Sequence, residues 1–446
     1  MSPASADHSP STAKRPRLFY GWVIVAGLSV VGAVNMSLGG VNFGSFISVM
    51  GRDLGISRFT FGLANSARSI SSGLSAPFLG RIIDRFGPRI PLMIAGFLVM
   101  VALTGMAFIN AGWQMVLILG FLGILGMQGG MSLYSTVPLS RWFVRLRGRA
   151  MSLAFVGGPI ALLVTLPLTP WFISNIGWRA TWVALGVVGG GIIMLVAAFV
   201  LKKQPEDMGL LPDGDIREEA HQTTGAQQSG STATTGPGPT PDEYPWTRSE
   251  ALGTRAFWML GLGFGLSMLG SGSFVFFRIP YYVDAGIRPE LVGLAAATDA
   301  LMVVLGTFVL GIWIDKLSLR HGGALGILLV TIALVIAVSA VNPFSMFLSN
   351  FVFGLGQIFN TNVRNVIWPA YFGRANIGSI RGTAFTVQMV FGAIGAPLVG
   401  LVRDLTGSYQ IAWVMMLAPM MIATVMIFLA VKPQPTGVSA TAPSTS

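Results

Sequence analysis

Apolar stretches of roughly twenty residues or more, separated by short polar connections, recur along the whole chain. A helix needs about 20 such residues to cross a ~30 Å hydrocarbon core. The pattern predicts spans at 20–49, 59–83, 90–108, 115–140, 150–173 and 181–201. Six more follow at 256–283, 291–314, 323–341, 344–372, 382–402 and 411–431. Only 10% of residues are charged, against about 25% in soluble domains. The 57 glycines fit the same solvent, because glycine is commoner in membrane helices than in soluble ones. The expected fold is an all-α integral membrane protein of twelve transmembrane helices in two six-helix bundles.

Between the sixth and seventh spans lies 202–255, rich in Gly, Thr, Pro and Gln. Such a segment cannot bury enough apolar surface to fold alone. The expected organisation is a tail at 1–17, a bundle at 18–201, a linker at 202–255, a bundle at 256–432 and a tail at 433–446. The basic residues support that topology. The tails, the linker and the connections after even-numbered spans hold 20 of the 28 lysines and arginines, and the other connections hold five. Basic residues accumulate on the cytoplasmic side, so both termini are expected there, in a multi-pass protein of the cell (inner) membrane. The net charge of +11 follows from this distribution and calls for no nucleic acid. The chain has no cysteine, and its three histidines lie in tails or connections. No metal cluster, nucleophile–base pair or cofactor motif is visible, so an enzyme is not expected. Lipid is the expected partner, and a monomer suffices.

The halves echo each other. Gly80 and Gly311, and Asp84 and Asp315, are each 231 residues apart, and the same step carries Arg68 onto Asp299. Parallel repeats related by an axis along the membrane normal place a transporter's site between them, near mid-membrane. Arg68 and Asp299 each stand sixteen residues from the matching aspartate, about 24 Å along a helix. They are therefore expected to face each other as a pair.

Arg68, Arg278, Asp299 and Arg364 are the charged residues deep inside predicted spans. Each is costly against lipid, so each implies a cavity or a partner. Asn65, Ser72 and Ser75 share a helical face with Arg68, and Gln357, Asn360 and Arg364 form a second polar stripe. Gln128 and Tyr134 occupy the corresponding region of the fourth span. Three arginines against one aspartate favour an anionic substrate. A guanidinium matches a carboxylate with two parallel hydrogen bonds. Arg364 is the expected leading carboxylate binder, with Arg278 or Arg68 second. Asp299 is the expected proton carrier, because burial raises a carboxyl pKa and a nearby arginine lowers it.

The turn GRIIDRFGPR at 80–89, with its echo GIWIDK at 311–316, resembles the loop between the second and third helices of the major facilitator superfamily. That resemblance covers essentially the whole chain. It implies alternating access and a cytoplasmic latch built on Gly80, Asp84, Arg85, Gly87, Arg89, Gly311 and Asp315. Tyr20-Gly21-Trp22 and WFVRLRGRAMSLAFVGG at 142–158 are similar to the monocarboxylate transporters and oxalate/formate exchangers. Asp299 falls where monocarboxylate transporters keep an acid in the eighth helix. One turn later, where those relatives carry an arginine, this chain has Val303. The expected function is proton-coupled transport of a small organic carboxylate. Anion exchange and proton-antiport drug efflux are the alternatives, although Gly158-Pro159 is followed by larger residues than the antiporter pattern requires.

Overall fold

In a computed structural model, residues 19–126, 133–202, 205–208, 210, 213, 244–313, 318–339, 341–373 and 376–434 are described. The regular structure among them is helical. The first half contains α1 (Tyr20–Ser37), α2 (Gly40–Leu54), α3 (Arg58–Phe86), α4 (Arg89–Gly105), α5 (Gly112–Ile124), α6 (Leu133–Trp142) and α7 (Arg147–Phe199). The second contains α8 (Arg248–Gly253), α9 (Arg255–Asp284), α10 (Pro289–Trp313), α11 (Leu319–Ser339), α12 (Pro343–Phe372), α13 (Ile377–Thr406) and α14 (Tyr409–Leu429).

Eight helical stretches among the described residues are long and apolar enough to cross a membrane. The difference from the twelve expected has local causes. Helices α1 and α2 form one stretch, broken at Leu38-Gly39 inside the expected first span, which leaves the count unchanged. The expected fourth span is divided between α5 and α6, on either side of residues outside the described set. The expected fifth and sixth spans run together in α7, which breaks at Gly177 with φ 81°. Only glycine tolerates that backbone comfortably. Helices α3 and α12 are 29 and 30 residues long, but their polar stripes take them out of the strongly apolar set.

Helices α1 and α4 lie against α7, and α3 lies against α5. In the second half α11 packs on α12 and α14, and α9 on α13 and α14. The two sets meet where α3 runs along α13, α10 along α7 and α9 along α2. These crossings are close because glycine sits at them. A Cβ at Gly293 would lie 2.3 Å from the Leu166 carbonyl oxygen, and one at Gly400 would lie 2.4 Å from that of Arg58. Small residues let membrane helices approach backbone to backbone. Gly293→Val is therefore expected to spread α10 from α7. Cysteine accessibility near this crossing should rise while the protein still inserts and purifies as folded.

Pieces of the expected linker are docked rather than loose. Asp213 accepts hydrogen bonds from the backbone N–H groups of Val144, Arg145 and Leu146 at 3.1, 2.7 and 3.1 Å. Trp246 is buried against Phe372. Four aromatic residues within the narrower family resemblance, Tyr20, Trp22, Trp142 and Phe143, pack against one another and Phe19. Trp142 is buried among Phe19 and Tyr20, and Trp22 meets Phe143 with ring centroids 5.0 Å apart.

Candidate substrate cavity

The seam between the two helix sets encloses two cavity lobes of about 530 Å³ each. They share a waist of Met36, Val41 and Val275. The first lobe is lined along α3 by Asn65, Arg68, Ser69 and Ser72, one helical face. Opposite stand Met268 and Phe276 of α9 and Phe385 and Met389 of α13. The Arg68 side chain is buried, and its Nη1 donates to the Leu38 carbonyl at 3.0 Å. That carbonyl is exposed by the break between α1 and α2, where helix-end carbonyls lack intrahelical donors. A cation there also complements the end of the α1 dipole.

The second lobe carries Asp299 of α10 with Gln357, Thr361, Asn362 and Asn365 of α12. Met151, Phe155, Pro159 and Leu162 of α7 face them. Asp299 Oδ2 accepts from Arg278 Nη2 at 2.8 Å, and Arg278 Nη1 donates to Asn350 Oδ1 at 3.0 Å. The guanidinium lies 5.3 Å from the Phe353 ring centroid, a cation–π distance. The arginine side chain is 1% exposed and the aspartate 15%. Of this pair, the carboxylate is the group that lines the cavity.

This corrects the expected Arg68–Asp299 pair. Equal spacing from a repeated turn sets equal depth along two helices, but not which way each side chain points. Asp299 is taken by Arg278, from the neighbouring helix of its own half. Arg364 lines neither described lobe. Asn360 is buried and donates to Ser267 Oγ at 3.1 Å, while Gln357 does face the cavity. Tyr134 is buried outside both lobes. Gln128 lies outside the described residues. Of the turn at 80–89, Arg85 and Arg89 are exposed, and Gly87 ends α3 with φ 76°. Asp84 lies in α3 and Gly311 in α10, while Asp315 lies outside the described residues.

One charged cluster escaped the sequence reading. At the end of the cavity where α3 begins, Arg58 Nη2 binds Asp284 Oδ2 of α9 at 2.8 Å. Ser48 of α2 donates to the same carboxylate at 2.9 Å. Asp404 of α13 accepts from the Arg58 and Phe59 backbone N–H groups at 3.0 and 2.8 Å. A carboxylate of one half thus caps the first turn of a helix in the other, where N–H groups lack partners and the dipole favours an anion. The cluster closes this end. The available signal was acids at span ends (Asp284 and Asp404), in connections read only for their basic residues. At the other end of the first lobe, the lining residue Phe385 is 53% exposed.

These features define a polytopic α-helical membrane protein with a charged cavity between two helix sets. The family model of the Major Facilitator Superfamily matches residues 28–286 and again 260–446. The chain belongs to that superfamily, a transport family rather than an enzyme family. It is 26% identical over 192 residues to monocarboxylate transporter 4 of Rattus norvegicus, covering 42% of this chain and 39% of that one. It is 23% identical over 397 residues to human monocarboxylate transporter 7, covering 80% and 75%. The crystal structure of a bacterial homologue of the human lysosomal transporter Spinster, inward-facing and unoccupied, superposes with a TM-score of 0.70 at 13% identity. That likeness covers 92% of this chain and 97% of the other.

Proposed function

We propose that the chain is a secondary transporter that moves a small organic carboxylate together with a proton. Twelve spans form two six-helix bundles, 18–201 and 256–432, that alternate access to the cavity between them. Both termini are cytoplasmic, so the end closed by Arg58, Asp284 and Asp404 is the outer one. The observation that carries this reading is the Arg278–Asp299 pair at the cavity wall. A buried arginine needs an anion, and removing one member of a buried pair costs about 3–5 kcal/mol. Protonating Asp299 removes the anion. A substrate carboxylate arriving in the second lobe replaces it, and so proton and anion favour each other's binding. Reciprocal coupling of this kind is what symport requires. The similarity to monocarboxylate transporters supports the substrate class. Arg278 stands in for the in-helix arginine that Val303 displaces. Arg68 supplies a second cation on the opposite half.

In proteoliposomes, an inward carboxylate gradient should drive proton uptake that the lumen records as acidification. Transport with no pH change would exclude symport, and stimulation by internal anion would indicate exchange instead. Neither Arg278 nor Arg364 lines a described lobe, but Arg278 pairs with Asp299, which does; Arg278→Lys, which loses the planar fork, should therefore raise substrate KM at least tenfold, whereas Arg364→Lys is expected to leave it within about threefold. A comparable rise for both would return Arg364 to the site.

A further inference from the structure

The Arg278–Asp299 pair borders a buried polar pocket in the second half that the coupling scheme leaves partly unused. Arg278 and Tyr282 of α9 and Ser349 and Asn350 of α12 are each at most 1% exposed. Residues four apart share a helical face, so Tyr282 stands one turn from Arg278 on the same side of α9. The neutral groups are held in place. Asn350 Nδ2 donates to the Met346 carbonyl at 2.8 Å, which fixes its Oδ1 on Arg278 Nη1. Ser349 Oγ donates to the Ala333 carbonyl at 2.8 Å, and its lone pairs stay available to the neighbouring Tyr282 hydroxyl. Two polar atoms of the pocket are left over. Among the described residues, neither Arg278 Nε nor the Tyr282 hydroxyl has a hydrogen-bond partner. Buried polar groups are nearly always bonded, and each exception calls for a reason. The adjacent Tyr281 shows the ordinary case, since its hydroxyl donates to the Ala337 carbonyl at 2.7 Å. At Arg278 and Tyr282, a donor on a cation and an acceptor on a neutral ring lie one turn apart and unbonded.

We propose that Tyr282 is a positioning residue for the coupling pair: its hydroxyl oxygen accepts from the Arg278 guanidinium when Asp299 is protonated. This rests on the proton-coupled reading above and deepens it. With Asp299 charged, Arg278 Nη2 has its anion and Tyr282 is idle. With Asp299 neutral and no substrate carboxylate in its place, the buried cation is left with Asn350 and the Phe353 ring. A small shift of the side chain toward Tyr282 gains it a further acceptor, while the phenol O–H turns to Ser349 Oγ. Tyr282 stays neutral throughout and carries no proton itself. A phenol oxygen is a weaker partner than a carboxylate, so the ion pair forms again once Asp299 loses its proton. No other charge competes there. Helix α12 faces Asp299 with Gln357, Thr361 and Asn362, and α7 with Met151, Phe155 and Leu162. Asp299 is the one charged side chain among the described residues lining that lobe.

Infrared difference titration of the purified, substrate-free full chain tests this. The signal is the C=O stretch of protonated Asp299, identified by its loss in Asp299→Asn. Tyr282→Phe deletes the acceptor, so it penalises neutral Asp299 and spares the charged pair. The proton should bind about tenfold more weakly or worse, which lowers the midpoint by about one pH unit or more. Tyr281→Phe loses a bond outside the pocket and should leave proton affinity within about twofold. A merely structural role points the other way, because a loosened pocket weakens the Arg278–Asp299 bond and raises the midpoint. A raised or unmoved midpoint in folded Tyr282→Phe overturns the inference. So does the absence of an Asp299 band at every pH at which the unsubstituted protein stays folded. The proton-coupled reading is tested separately, by the acidification that accompanies uptake in proteoliposomes. Acidification together with an unmoved midpoint removes Tyr282 and leaves that reading standing, whereas transport without acidification removes both.

Discussion

Asp299→Asn should lower net carboxylate uptake about 100-fold or more, while exchange of labelled for unlabelled substrate persists. Asparagine keeps the shape of the aspartate and imitates its protonated form. Arg278, 1% exposed, then has no permanent anion within reach of its Nη2. The substrate carboxylate becomes the best partner available, so binding is retained or tightened. The empty carrier must still return across the membrane with an uncompensated buried cation, which costs several kcal/mol. A barrier raised by about 2.7 kcal/mol slows that step 100-fold. Exchange bypasses it, because the carrier returns loaded. The measurement is counterflow against net uptake in the same proteoliposomes. Loss of both, in a variant that purifies as folded, would make the pair a structural clamp without a part in coupling.

Much of this arrangement could be read from residue order. Periodicity along one helix is local information, and it located the α3 face bearing Arg68 and the cavity position of Gln357. What a helix faces is not local. The Arg278–Asp299 bond depends on how α9 and α10 are rotated about their own axes, and a repeat spacing of 231 says nothing about that rotation. Arg364 shows the same limit. Gln357 and Arg364 are seven residues apart, yet one faces the lobe and the other lies off it. Over seven residues a straight helix advances 700°, which leaves the two side chains about 20° apart; curvature and the neighbouring helices decide the rest. Gly293 and Gly400 could not have been distinguished by sequence from the other 55 glycines. Only the crossing helix shows why a side chain is excluded there. Val303 stands where the family resemblance implies an arginine, and the cation that Asp299 meets is Arg278 of α9, which no spacing along the chain connected to it.

The closed end gives the other large effect. Arg58→Met should shift the resting equilibrium about 30- to 100-fold toward the conformation open at that end. Methionine keeps the length and apolar contacts of the side chain and removes its charge. The Arg58 and Asp284 side chains are 7% and 24% exposed. Truncating one member of such a pair costs about 2–5 kcal/mol, and about 2–2.8 kcal/mol corresponds to the stated shift. The cost falls only on the closed state, because the partners sit on different halves and part when these separate. Arg403→Met provides the contrast. Its guanidinium is 3.7 Å from the same Asp284 oxygen and 32% exposed, so the loss should stay below about 1 kcal/mol. Spin labels on the α3 and α13 ends report the populations directly through their distance distribution. Asp404→Asn separates the two devices of the cluster. It spares the Arg58–Asp284 bond but weakens the carboxylate cap on the Arg58 and Phe59 N–H groups. A cap loss of about 1 kcal/mol predicts a fivefold shift. Unchanged distances in Arg58→Met would mean that glycine-mediated packing at Gly293 and Gly400 holds this end shut, with the charges only decorating it.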